Sequence, residues 1–230
     1  MHSPKTSQTA LKSRRGLLEM AAAAGLTIAG FLLVLGDPPS PVLAEDAGVP
    51  VSKLMADEAL PDIALGSSDA PVTIIEYASM TCTHCAAFYA TTFPELKSKY
   101  IDTGKVRFIL REFPLDPLAA AGFMLARCAG DDKRNAIIDL LFAQQKNWAF
   151  TDKPVEALAS LLRQTGMSQS SFEACLKNQD LYNKIAKVHD DAAEKFGINA
   201  TPTFFINGKR ENGEIPTDAL EKLIDPLLKG

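Results

Sequence analysis

The chain has 230 residues, with 24 Lys and Arg against 28 Asp and Glu, a formal net charge of −4, and 47% hydrophobic residues. That acidic balance argues against nucleic-acid binding, which wants a basic surface. The length suits one domain with a sizeable core, or a small domain carrying an insertion, and neither repeats nor low-complexity tracts complicate it.

Residues 1–44 read as a signal peptide. Lys5, Lys12, Arg14 and Arg15 precede an apolar stretch from Met20 to Leu35, which Gly36-Asp37-Pro38-Pro39 breaks. Val42-Leu43-Ala44 offers the small residues that signal peptidase reads, so cleavage is expected before Glu45. The apolar run is about 16 residues, short of the ~20 that a spanning helix needs, which favours cleavage over a retained anchor. Ser13-Arg14-Arg15-Gly16-Leu17-Leu18 is also similar to a twin-arginine export signal. The expected destination is the periplasm, where disulfides persist. The leader holds four of the basic and two of the acidic residues, so the mature chain carries a net charge of about −6.

Residues 45–59 have little periodicity and read as a lead-in with at most a short helix. Leu60-Pro61-Asp62-Ile63-Ala64-Leu65-Gly66 reads as an edge strand, since Pro61 cannot donate to a central ladder. Val72 to Ala78 is apolar and β-branched enough for a buried central strand. A helix is expected from about Cys82 to Tyr100, kinked or split near Phe93 by Pro94. Lys105 to Phe113 alternates as a second strand, which the intervening helix makes parallel to the first.

From about Asp116 to Lys195 strand signals are missing. Helices are expected over Leu118–Cys128, Asp131–Asn147, Pro154–Thr165, Ser170–Lys177 and Asp180–Phe196, with Gly166 and Gly197 just past helix ends. Four of these five interrupt the β/α alternation and read as an inserted subdomain. Ala200 to Ile206 is a further strand, Asn207-Gly208 a hairpin turn, and Lys209 to Glu214 the returning strand. Thr217 is expected to cap a last helix, Asp218 to Leu228, with Leu220, Leu223, Ile224 and Leu227 on one face.

Cys82-Thr83-His84-Cys85 is the chemical centre of the chain. By itself a C-x-x-C at a strand-to-helix junction can be a redox pair, half a zinc site or a structural disulfide. Its placement favours the first: a sulfur at a helix start lies near unsatisfied N–H groups that stabilise a thiolate, and the second sulfur is one turn away. Zinc is disfavoured, because no second pair stands at metal spacing and His189 is isolated, so no metal and no cofactor are expected. His189 reads as part of a solvated helix face, and Trp148 and Phe150 as core or as the lip of a groove.

The C-x-x-C, the Thr201-Pro202 pair before a strand, the helical insert, Phe93-Pro94-Glu95-Leu96 and Arg111-Glu112-Phe113-Pro114-Leu115 together resemble the DsbA-like thiol–disulfide oxidoreductases of the thioredoxin superfamily. The resemblance covers roughly Leu60 to Leu228. It implies an α/β thioredoxin fold with an inserted helical subdomain: residues 60–115 and 180–230 form the thioredoxin-like domain and 116–179 the insert. It makes Cys82 the attacking and Cys85 the resolving cysteine of a redox-active disulfide. Pro202 takes the place of the family's cis-proline, and Thr201 offers backbone groups to an extended substrate. His84, between the cysteines, supplies a donor or positive charge to the thiolate. Thr83 stands where family members often carry proline. Glu76 matches a buried acid beneath the site that passes protons to the resolving thiol.

Cys128 and Cys175 remain. In an oxidising compartment two such cysteines more often pair than stay free, and the resemblance implies a structural disulfide. A regulatory disulfide and two buried thiols are the alternatives. The function implied is oxidation of cysteine pairs in newly exported proteins by a monomer, with a quinone-linked DsbB-type membrane partner as reoxidant. An isomerase or reductase of the same fold is the alternative within the enzyme class, and a non-catalytic holdase for exported chains the alternative outside it.

Overall fold

The computed structural model describes residues 48–56 and 58–229; the signal peptide expected over residues 1–44 lies outside them. A five-stranded sheet runs β1-β3-β2-β4-β5, from β1 (Ile63–Leu65), β2 (Val72–Ala78), β3 (Val106–Glu112), β4 (Thr203–Ile206) and β5 (Lys209–Asn212). Only β2 and β3 are parallel; β1, β4 and β5 each pair antiparallel to a neighbour. The parallel pair is joined by α2 (Thr83–Thr91), α3 (Phe93–Leu96) and a π-helical turn at Lys97–Ile101, the crossover such a pair requires. Pro94 divides this run as expected, because it falls in the first turn of α3, where a missing N–H costs nothing. Thr92, at the break, donates its buried hydroxyl to the Ile215 carbonyl (2.9 Å).

Strand parity sorts the side chains into two cores. Val72, Ile74 and Ala78 of β2 join Phe108 and Leu110 of β3 and Phe204 of β4 on the face covered by α2, α3 and α10 (Thr217–Ile224). Ile75, Tyr77, Ile109 and Phe205 line the opposite face, against Leu54, Ala192 and Ile198. There the buried Arg111 binds Asp62 Oδ1 (2.9 Å), Glu58 Oε1 (2.7 Å), the Tyr77 hydroxyl (2.9 Å) and the Leu54 carbonyl (2.6 Å). This clamp holds the lead-in, including the short α1 (Val51–Leu54), on the sheet.

Between β3 and β4 come α4 (Pro117–Cys128), α5 (Asp131–Ala143), α6 (Gln145–Trp148), α7 (Pro154–Arg163), α8 (Gln169–Leu176) and α9 (Gln179–Phe196). Their starts are capped where the sequence supplies an acceptor. Asp116 Oδ1 accepts from Ala119 N (2.8 Å), Ser168 Oγ from Ser171 N (3.1 Å), and Asn178 Oδ1 from Leu181 N (3.0 Å). Gly197 ends α9 in the left-handed region, φ 63°. Cys128 and Cys175 form a disulfide that joins α4 to α8, with Cα atoms 6.1 Å apart.

Four local expectations need correction. Thr217 is the first helical residue and not the cap; Pro216 stands at the cap and offers no side-chain acceptor. The helix expected over Asp131–Asn147 breaks at Gln144 into α5 and α6. Leu227 leaves the buried face and is 40% exposed, because the chain tightens into a 3-10 turn after Ile224. His189 is not simply solvated: its ring packs on Phe113, with centroids 4.1 Å apart. No helix among the described residues is long and apolar enough to cross a membrane.

Candidate active site

β2 delivers the chain to the site at Ala78, and the turn Ser79-Met80-Thr81 carries it into α2. Cys82 caps that helix: its backbone N–H donates to the Ser79 carbonyl (3.0 Å), and its sulfur accepts from Cys85 N (3.4 Å). The turn is tied on three sides. Ser79 Oγ accepts from Leu115 N (3.2 Å), and the Thr81 hydroxyl donates to Asp116 Oδ2 (2.5 Å). From the helical insert, Gln145 Nε2 donates to both the Met80 and the Cys82 carbonyls, each at 2.9 Å. Facing Cys82 across the site is the turn before β4, where the Thr201-Pro202 peptide bond is cis. The Cys82 thiol donates to the Thr201 carbonyl (3.2 Å).

Both cysteines are thiols in this structure and both are buried, Cys82 with 8% of its surface exposed and Cys85 with none. Their electrostatics differ sharply. The Cys82 thiol is pulled down from 9.0 to about 5, first by the Cys85 S–H, then, against the opposing cost of burial, by the Thr201 hydroxyl and the backbone N–H groups of Cys85 and His84. The Thr201 hydroxyl makes no geometrically complete hydrogen bond beside the neutral thiol, so its donor is available once the sulfur ionises. Burial first, and then the bond to Cys82, push the Cys85 thiol well above its ordinary value. Cys82 is therefore the anion and Cys85 the proton holder.

Glu76 lies directly beneath. Strand parity turns it towards α2, and the register sets it between Leu110 of β3 and Phe204 of β4, two apolar neighbours on the same face. It is fully buried, and neither carboxyl oxygen has a hydrogen-bond partner. Burial, followed by the negative charge on Cys82, raises its pKa well above the ordinary range, so it is held protonated.

The structure thus gathers Cys82, Cys85, Glu76, Thr201 and Pro202 at one place. His84 is adjacent but acts differently from a charged ring over the sulfur. Its backbone N–H serves Cys82, while its imidazole is 71% exposed and 3.6 Å from Glu214 Oε2. A groove of about 500 Å³ runs beside α2, lined by Thr83, Ala86, Ala87, Phe142, Gln145 and Lys146. Trp148 is core, fully buried, with its indole N–H donating to the Leu141 carbonyl (2.8 Å); Phe150 is 55% exposed.

Sequence reasoning missed Gln145 and Asp116. The second had a readable signal, since Asp-Pro ahead of an apolar helical run is a helix-start pattern. Gln145 had none, because its partners are backbone atoms more than 60 residues away.

A family model described as thioredoxin matches residues 58–226. A Rickettsia conorii protein provisionally named a protein-disulfide oxidoreductase is 33% identical over 169 residues, covering 73% of this chain and 61% of that protein. The chain spans about three fifths of the length of such rickettsial relatives. A Bacillus cereus protein named probable disulfide bond formation protein D is 31% identical over 176 residues, 72% of this chain and 78% of its own. Among solved structures, Wolbachia pipientis alpha-DsbA1 superposes with a TM-score of 0.70 and 31% identity, over 77% of this chain and 95% of that one. The family model spans the chain from the edge of the sheet to the last helix, and the chain belongs to the DsbA-like branch of the thioredoxin family.

Proposed function

We propose that the protein is an exported, periplasmic thiol–disulfide oxidoreductase that oxidises cysteine pairs in newly exported proteins. In this reading residues 1–44 are removed as a signal peptide, residues 60–115 and 180–230 form the redox domain, and residues 116–179 are its helical insert. The observation that carries it is the split between the two cysteines: Cys82 held as an anion near neutral pH, Cys85 buried and protonated.

Starting from the Cys82–Cys85 disulfide, a substrate thiolate attacks the Cys82 sulfur. A substrate–Cys82 bond forms, the Cys82–Cys85 bond breaks, and Cys85 leaves with the electron pair. Cys85 then needs a proton, and the buried neutral Glu76 is the donor at hand. A second substrate thiolate attacks the substrate sulfur of the mixed disulfide, and Cys82 departs as a thiolate. The substrate dithiol has lost two electrons and the enzyme has gained them. A thiolate stabilised as Cys82 is leaves readily and favours the reduced enzyme, which makes the disulfide an oxidant. Thr201, next to the cis peptide bond, sits where an extended substrate segment would lie alongside the sulfur. A quinone-linked membrane partner of the DsbB type would return the pair to the disulfide.

The experiment is the equilibrium of the mature protein with glutathione, followed by alkylation and mass spectrometry. A Cys82–Cys85 pair more oxidising than the glutathione couple supports the oxidase. A strongly reducing pair refutes it in favour of a reductase, and a Cys82 thiol inert at neutral pH refutes redox function altogether, leaving a holdase.

A further inference from the structure

We infer that Gln145 is a positioning residue for Cys82: from the helical insert it fixes the Met80–Cys82 turn that sets the Cys82 sulfur against the N–H of Cys85. The inference rests on the dithiol chemistry proposed above and adds the insert to it as a working part of the site.

Gln145 opens α6 and is 2% exposed, yet its amide nitrogen reaches across to the other subdomain and donates to two backbone carbonyls. One of these belongs to Cys82 itself, and the same carbonyl accepts from Ala86 N (3.1 Å) in the first turn of α2. The amide is held still. Trp148, three residues on, is locked by its bond to the Leu141 carbonyl. At Gly122 of α4, a Cβ would meet Met80 at 3.1 Å and Trp148 at 3.5 Å, so these two side chains fill the space that the missing side chain leaves. The turn is therefore gripped at Met80 by packing and at both carbonyls by one amide.

Two effects link this grip to the sulfur, and they have the same sign. The turn sets where Cys82 stands relative to the N–H of Cys85, 3.4 Å from the sulfur, and a looser turn lengthens that contact. The amide protons also offset the negative end of the Cys82 carbonyl dipole, which otherwise disfavours an anion on its own side chain. Losing Gln145 makes the thiolate less stable on both counts. The reduced enzyme is then less favoured and the disulfide a weaker oxidant. A glutamine that served only to satisfy two buried carbonyls would lower stability when removed and leave the sulfur alone.

The test uses the reduced full-length mature chain with Gln145→Met, which keeps the length and removes the donor, and Gln145→Glu, which sets an acceptor against the two carbonyls. The midpoint of the thiolate absorbance is followed against pH, alongside the glutathione equilibrium and a thermal melt. Both variants are expected to raise the midpoint by about one pH unit or more, a roughly tenfold change, and to move the glutathione equilibrium by a similar factor towards oxidised protein. If one variant does not fold, the other decides. A lowered melting temperature with an unchanged midpoint and equilibrium overturns the inference and leaves Gln145 structural. A wild-type midpoint near 9 overturns the anionic Cys82 that carries the proposed function, and this inference with it; a depressed wild-type midpoint that the variants share overturns the inference alone.

Discussion

The charge on Cys82 should be visible in the stability of the reduced protein. The cleanest comparison is Glu76→Gln against Glu76→Gln with Cys82→Ser, since the glutamine silences the carboxyl that would otherwise titrate alongside the sulfur. The thiol is at about 5 in the folded chain against 9.0 for an ordinary cysteine. Between those values the unfolded state binds the proton and the folded state does not, so stability rises with pH. The contribution is absent below about pH 5 and complete only above about pH 9. At pH 7 roughly two of the four pH units have been crossed, worth at most about 3 kcal/mol at 1.36 kcal/mol per unit. Cys82 is not wholly enclosed, with 8% of the residue exposed, and solvent screening brings the expectation to about 2 kcal/mol. Urea denaturation under reducing conditions, from pH 4 to pH 8, measures the difference directly. The serine chain should match its parent near pH 4 and fall behind by about 2 kcal/mol at pH 7. A difference that stays flat across that range would refute the assignment of the anion to Cys82.

Three further outcomes are expected. Glu76→Gln alone should stabilise the reduced protein at neutral pH, because the unfolded state gains about 1.4 kcal/mol for each pH unit above about 4.3 while the buried carboxyl stays protonated. Denaturation at pH 4 and pH 7 checks it, and formation of the mixed disulfide from the oxidised protein, followed by stopped flow, should be slower in the same variant. Arg111→Met removes the cation between Glu58, Asp62 and Tyr77 and should cost about 3 kcal/mol or more in chemical denaturation; a loss under 1 kcal/mol would mean the lead-in is not held through this clamp. Replacing Cys128 and Cys175 together by alanine frees a loop with a sequence separation of 47 and should cost about 4 kcal/mol on loop entropy, read as a lower urea midpoint.

Much of the fold was legible because its signals are local. The apolar run of β2, the proline that divides α2 from α3, the Asn-Gly turn between β4 and β5, and Gly197 after α9 each act within a few residues of themselves. The cysteine pair was legible for the same reason: one turn of helix relates Cys82 to Cys85. Glu76 was half legible, since parity puts it on one face of a strand, but which face carries α2, and that Leu110 and Phe204 flank it, depends on strand pairing. Thr217 misled because the helix starts one residue earlier than its cap preference implies: Pro216, with extended backbone (φ −62°, ψ 154°), already occupies the cap position. His189 misled because its Asp-rich surroundings read as solvated while Phe113, far away in sequence, supplied the ring it packs on. Gln145 was out of reach: its two bonds exist only once the insert has docked on the redox turn.

That contrast bears on how the site divides its charge. Cys82 and Glu76 are close enough that the anion on one disfavours the anion on the other, so the reduced site settles on a single negative charge. What chooses the sulfur is the distribution of donors. The thiolate has the S–H of Cys85, two backbone N–H groups and the Thr201 hydroxyl; the carboxyl has no hydrogen-bond partner at all. Environments that push two titratable groups apart assign their roles, which in the proposed mechanism are nucleophile or leaving group above and proton store below. The assignment also couples to oxidation state. Forming the Cys82–Cys85 disulfide removes the thiolate, and with it the second cause of the raised Glu76 pKa, so Glu76 should release its proton more readily in the oxidised protein than in the dithiol. Reduction then draws a proton onto Glu76 as it puts an anion on Cys82. In the proposed mechanism such a carboxyl, protonated by burial yet readier to release its proton in the oxidised protein, supplies Cys85 as the mixed disulfide forms.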